Sequence, residues 1–190
     1  MAENSDFIGL LIRIFNLFSG IIYIITAILL FAQINLNTQN TLLFISIILI
    51  FIGILRFING SLNTNLQKYL RISRIIAGII ILALAVSAVA RGSIESTAII
   101  LLAIAVLINS IQKSLIGVFE KHYPVWFRAI SILGGTITIV LSLLVIFGTS
   151  WDVFILIILF AIVFLLNGVS RLINAISNPI EKKGRKVSAR

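Results

Sequence analysis

Residues 13–20, 71–78 and 128–135 read RIFNLFSG, RISRIIAG and RAISILGG. Each segment opens on an arginine, closes on a glycine seven positions later and places a small residue (Ser19, Ala77 or Gly134) just before that glycine. The arginines recur at intervals of 58 and 57 residues, so one register runs through the chain. A fixed period of this length marks a repeated supersecondary unit.

Each segment lies at or near the start of a long apolar run. Six such runs occur, at about residues 8–32, 41–62, 71–90, 95–118, 126–147 and 152–176. All reach the roughly 20 residues that cross a hydrocarbon core of about 30 Å at 1.5 Å per residue. Ile and Val are abundant, but uninterrupted runs of this length exceed the roughly 9–11 residues of a membrane strand. Three connectors are short and polar or broken by glycine: Gln33 to Asn40, Arg91 to Glu95, and Gly148 to Asp152. They predict tight hairpins between antiparallel helices. The first run is longer than a signal-peptide core, and Glu3 and Asp6 precede it where a signal peptide carries positive charge, so a retained helix is expected.

The expected fold is an all-α membrane protein of six transmembrane helices, built as three helical hairpins with pseudo-threefold symmetry. The repeats cover about 8–62, 71–118 and 126–176 of a single membrane domain spanning 1–190, and residues 177–190 form a basic cytoplasmic tail. Each repeat crosses twice, so the copies enter the bilayer in the same direction and are related by an axis along its normal.

Composition agrees. Of the 190 residues, 60% are hydrophobic and 11% charged, with mean hydropathy +1.19, well outside the roughly 45–50% apolar content of soluble domains. Cysteine is absent, which removes disulfides, thiolate nucleophiles and thiolate metal sites. The net charge of +9 is read by its distribution: every one of the 15 Lys and Arg except Arg91 lies at or near one end of the runs. By the positive-inside rule that end, with both termini, faces the cytoplasm of a multi-pass cell-membrane protein. The tail residues Lys182, Lys183, Arg185, Lys186 and Arg190 serve as a topology signal or touch anionic headgroups, at about 1 kcal/mol per basic residue.

Beyond Glu95 and Asp152 at their first positions, the runs contain no Asp, Glu or His. Glu95 and Asp152 stand at one end, Glu3, Asp6, Glu120 and Glu181 at the other, and the single His122 in a loop. Intramembrane proton relays and acid–base pairs need such groups, and one His without Cys cannot close a metal site. A non-enzymatic protein without cofactor is expected.

Six basic residues do lie within the helix ends: Arg13, Arg71 and Arg128 on the odd runs, and Arg56, Lys113 and Arg171 on the even ones. Two readings stand side by side. They snorkel to the headgroups as anchors, or some converge on a pocket for an anion or anionic lipid headgroup. The even runs also carry Asn59, Asn109 and Asn167, each followed by a small residue. These predict hydrogen bonds between helices, at about 0.6 kcal/mol each. The glycines predict close helix packing, and Tyr123, Trp126 and Trp151 predict interface anchors.

With the Arg-x6-Gly repeat at Arg13, Arg71 and Arg128, the asparagine–small pairs at Asn59, Asn109 and Asn167, and the overall length, the chain resembles the HdeD family of small bacterial and archaeal membrane proteins. The resemblance implies short two-helix repeats giving six membrane helices and a loose link to acid resistance. It supplies no catalytic residues. Expected partners are the bilayer, with anionic lipids, and other membrane proteins or further copies of the chain, but not nucleic acid. A stress-linked protein or accessory subunit is the first functional expectation; a small channel or transporter for an anion or lipid-like solute is the alternative.

Overall fold

The computed structural model describes residues 2–32, 38–62, 67–91, 95–120, 124–148 and 151–177. They form α1 (Ala2–Ala32), α2 (Thr38–Leu62), α3 (Lys68–Ala90), α4 (Glu95–Phe119), α5 (Val125–Phe147) and α6 (Val153–Ser177), with no strand among the described residues. All six are long and apolar enough to cross a membrane, α1 from Arg13 onward. Their ends fall within a few residues of the apolar runs, except that α1 begins at Ala2. Pro124 stands immediately before α5, where its fixed φ suits the entry to a helix. The basic tail, His122 and Tyr123 lie outside the described residues. Trp126 and Trp151, at opposite ends of the bundle, are both partly exposed.

Three helix pairs are packed much more closely than the rest: α2 with α3, α4 with α5, and α1 with α6. Small residues make this approach possible. A Cβ on Gly78 would lie 2.8 Å from the Phe57 amide nitrogen and 2.9 Å from the Gly53 carbonyl oxygen. One on Gly168 would lie 3.0 Å from the Gly20 carbonyl, and one on Gly135 would lie 3.1 Å from that of Ser110. Backbones this close gain dispersion contacts that lipid tails cannot match. Later positions on one helix meet earlier positions on the other, so each pair is antiparallel. The α1–α2 seam is the slightest of the sequential contacts, bridged by an edge-on pair of Phe18 and Phe51 with ring centroids 6.3 Å apart.

Burial separates the helices into two classes. In their apolar spans α2, α4 and α6 are 44–50% buried, whereas α1, α3 and α5 are 28–33% buried. The even helices therefore form the interior, and the odd helices turn Leu, Ile, Val and Phe side chains outward. The interior is itself divided along the bundle. One half, toward the ends of α1, α3 and α5, is filled by apolar side chains such as Leu49, Ile52, Leu102, Leu156 and Phe160. The other half, toward the basic end where α2, α4 and α6 finish, holds Arg56, Asn59, Asn109, Gln112, Asn167 and Ser170.

Candidate functional site

Buried hydroxyls in the bundle largely satisfy themselves. Thr26, Ser46, Ser110 and Ser142 each donate to the carbonyl four residues earlier, at 2.7–2.8 Å. The basic residues behave differently, and they divide into two sets.

The odd-helix set caps helices. Arg128 donates from Nε to the Gly117 carbonyl at 2.9 Å and from Nη2 to that of Val118 at 3.0 Å. Arg71 does the same at Gly60 and Ser61, at 3.5 and 3.3 Å. These carbonyls belong to the last turns of α4 and α2, whose final acceptors have no partner within the helix. A guanidinium there supplies hydrogen bonds and complements the negative end of the helix dipole. Arg13 is half-buried on α1, close to the basic end.

The even-helix set points into the bundle. Arg56, Lys113 and Arg171 each stand six residues before the end of their helix, about 9 Å inward at 1.5 Å per residue. They share one level, and their spacings of 57 and 58 match the repeat. Arg56 is buried, while Lys113 and Arg171 are half-buried. Arg56 donates from Nη2 to the Asn109 carbonyl on α4 at 3.1 Å. Lys113, one turn beyond Asn109, donates to Asn167 Oδ1 on α6 at 3.4 Å. Arg171, one turn beyond Asn167, donates to Ser19 Oγ on α1 at 2.7 Å and lies 5.1 Å from the centre of the Tyr23 ring. A chain of contacts thus links the three cations from α2 through α4 and α6 to α1.

These charges repel one another. Among the described residues their hydrogen-bond partners are the Asn109 carbonyl, Asn167 Oδ1 and Ser19 Oγ, all neutral acceptors. Glu120 is buried at the end of α4, seven residues or about 10 Å along the axis from Lys113. A buried cation without a counter-charge costs several kcal/mol of desolvation, so it needs a partner or a function.

The cluster also keeps polar capacity in reserve. Nε and Nη1 of Arg56, Nδ2 of Asn167, Oγ of Ser170 and both amide atoms of Gln112 are buried with no hydrogen-bond partner among the described residues. The oxygens of Asn59 and Asn109 are likewise unpartnered. Of the three predicted interhelical asparagines, Asn167 accepts across the α4–α6 gap through its side chain, and Asn109 accepts through its backbone. Asn59 stands 50 residues before Asn109, not 57, and so lies nearer the basic end than the other two. Tyr23, Gln112 and Ser170 were not singled out in the sequence. A lone polar residue in an apolar run gives no signal until its helix neighbours are known.

Residues 18–90 match the family model described as a short repeat of unknown function (DUF308), a family that includes HdeD-like membrane proteins. The matched stretch runs from Phe18 on α1 through α2 to the end of α3. No curated protein and no solved structure matches the chain.

Proposed function

We propose that this chain is a non-enzymatic, multi-pass protein of the cell membrane, of HdeD type, which holds an anion at the cytoplasmic side of its inner helices. The observation carrying this reading is the convergence of Arg56, Lys113 and Arg171 at one level, where their hydrogen-bond partners among the described residues are all neutral. The three hairpins repeat about an axis along the membrane normal. Support comes from the 57–58-residue spacing of the arginines and inner cations, and from small residues meeting at Gly53–Gly78, Ser110–Gly135 and Gly168–Gly20. Family membership and a stress-linked or accessory role draw on the match over residues 18–90. Holding is favoured over conduction because Ile52, Leu102 and Phe160, all almost wholly inaccessible, fill the interior on the far side of the cations.

Two measurements test the reading. Single cysteines at Asn37, Ser93 and Thr149 should react with an impermeant thiol reagent in intact cells, and one at Ser188 should not; the reverse pattern inverts the topology. The thermal midpoint of the purified, delipidated protein should rise with added anions in the native chain and far less in Arg56→Gln. A midpoint indifferent to every anion removes the proposed role.

A further inference from the structure

We infer that the anion is a phosphoryl-type oxyanion gripped by the side-chain fork of Arg56, an inference that rests on the anion-holding reading above. The geometry of the guanidinium carries it. Five N–H groups leave a guanidinium in one plane, arranged as two edges that each present a pair of parallel donors. Arg56 spends a single Nη2 hydrogen on the Asn109 carbonyl, and its Nε and Nη1 have no partner among the described residues. Both edges draw on Nη2, each through a different hydrogen. Whichever hydrogen is spent, one complete two-donor edge remains open. Two parallel donors match two oxygens of one tetrahedral anion, whereas a halide has a single centre and gains nothing from the pairing.

The neighbours fit the same ligand. Lys113 gives one of its three N–H groups to Asn167 and keeps two, and the unpartnered Asn167 Nδ2 and Ser170 Oγ add neutral donors. Three positive charges at one level can offset the single charge of a phosphodiester headgroup or the double charge of a phosphate monoester. Access is possible because Lys113 and Arg171 are half-buried where Arg56 is buried. The ligand would meet lysine and Arg171 first and seat against Arg56. Among the described residues the hydrogen-bond partner of Arg56 is the neutral Asn109 carbonyl, so no carboxylate there occupies its fork.

The phosphoryl group could belong to a lipid headgroup or to a free phosphate compound, and the experiment separates them. Native mass spectrometry of the full chain in mild detergent reports any retained phospholipid. Thermal unfolding of the delipidated protein is then followed with sodium phosphate, sulfate or chloride at equal ionic strength, and with vesicles of phosphatidylglycerol or phosphatidylcholine. The expected result is a rise of several degrees with phosphate and sulfate and little with chloride. Arg56→Lys, which keeps the charge and loses the fork, should respond to all three salts alike, and Lys113→Gln should keep the oxyanion preference with a weaker response. One retained phospholipid, with rescue by phosphatidylglycerol and not by free phosphate, assigns the lipid source. Rescue by inorganic phosphate alone assigns the free source. Equal stabilisation by chloride and phosphate overturns the oxyanion inference and leaves anion holding intact. No response to any salt or lipid overturns both.

Discussion

Arg128 and Arg56 stand at the same end of the bundle, on helices of similar length, yet they serve opposite ends. Arg128 hands its charge to two carbonyls at the close of α4, so the fold uses it. Arg56 is turned inward at the level of Lys113 and Arg171, and among the described residues its guanidinium meets one neutral carbonyl, with Nε and Nη1 unpartnered. The first arrangement lowers the energy of the folded chain, and the second raises it. A cation kept at a cost within the bundle points to something other than stability.

The contrast predicts effects of opposite sign. The largest loss is expected for Arg128→Ala, which leaves two terminal carbonyls of α4 unpaired; hydrogen bonds from charged donors are worth about 1.5–3 kcal/mol, and unfolding in detergent should report a drop of roughly that size. Arg128→Ala as stable as the native chain would erase the distinction. Next comes a gain: in delipidated protein in chloride buffer, Arg56→Leu should be more stable by about 1–2 kcal/mol, because replacing a buried, uncompensated charge with an apolar side chain relieves its desolvation. A loss instead would place Arg56 among the structural arginines. Arg71→Ala should cost about 1 kcal/mol, less than Arg128→Ala, since its two bonds are longer at 3.3 and 3.5 Å; equal costs at the two sites would mean that geometry is not what separates them. The smallest effect belongs to Asn167→Leu, which removes the acceptor of Lys113 at a cost near 0.6 kcal/mol, and a double-mutant cycle with Lys113→Met would isolate that contact.

Length and hydropathy were enough to delimit the six helices, because a helix that meets lipid must stay apolar for its whole crossing, leaving a run no other element produces. The register of three arginines and three glycines is equally plain in the sequence. The direction of each side chain was not legible. A spacing of 57 or 58 says which positions correspond and nothing about which face of the helix turns inward, so Arg71 and Arg56 looked alike. Helix pairing was hidden for a related reason. The hairpins suggested by the repeat are α1–α2, α3–α4 and α5–α6, but the tight crossings are α2–α3, α4–α5 and α1–α6. A clue lay in the even helices, where Gly53 and Gly60, Ser110 and Gly117, and Gly168 and Ala175 are each seven apart on one face. Asn59 is like Asn109 in local sequence but stands at a different level of its helix.

The α1–α6 crossing bears on how the protein is made. Gly20 of α1 is shaped to receive Leu172 and Gly168 of α6, and between Ala32 and Val153 the ribosome must add four further helices. At about 5–20 residues per second, α1 waits roughly 6–24 s after its own synthesis before its partner begins to emerge. Throughout that interval its small-residue stripe faces lipid or the insertion machinery. A chain halted before Val153 therefore lacks the α6 surface against which Gly20 packs.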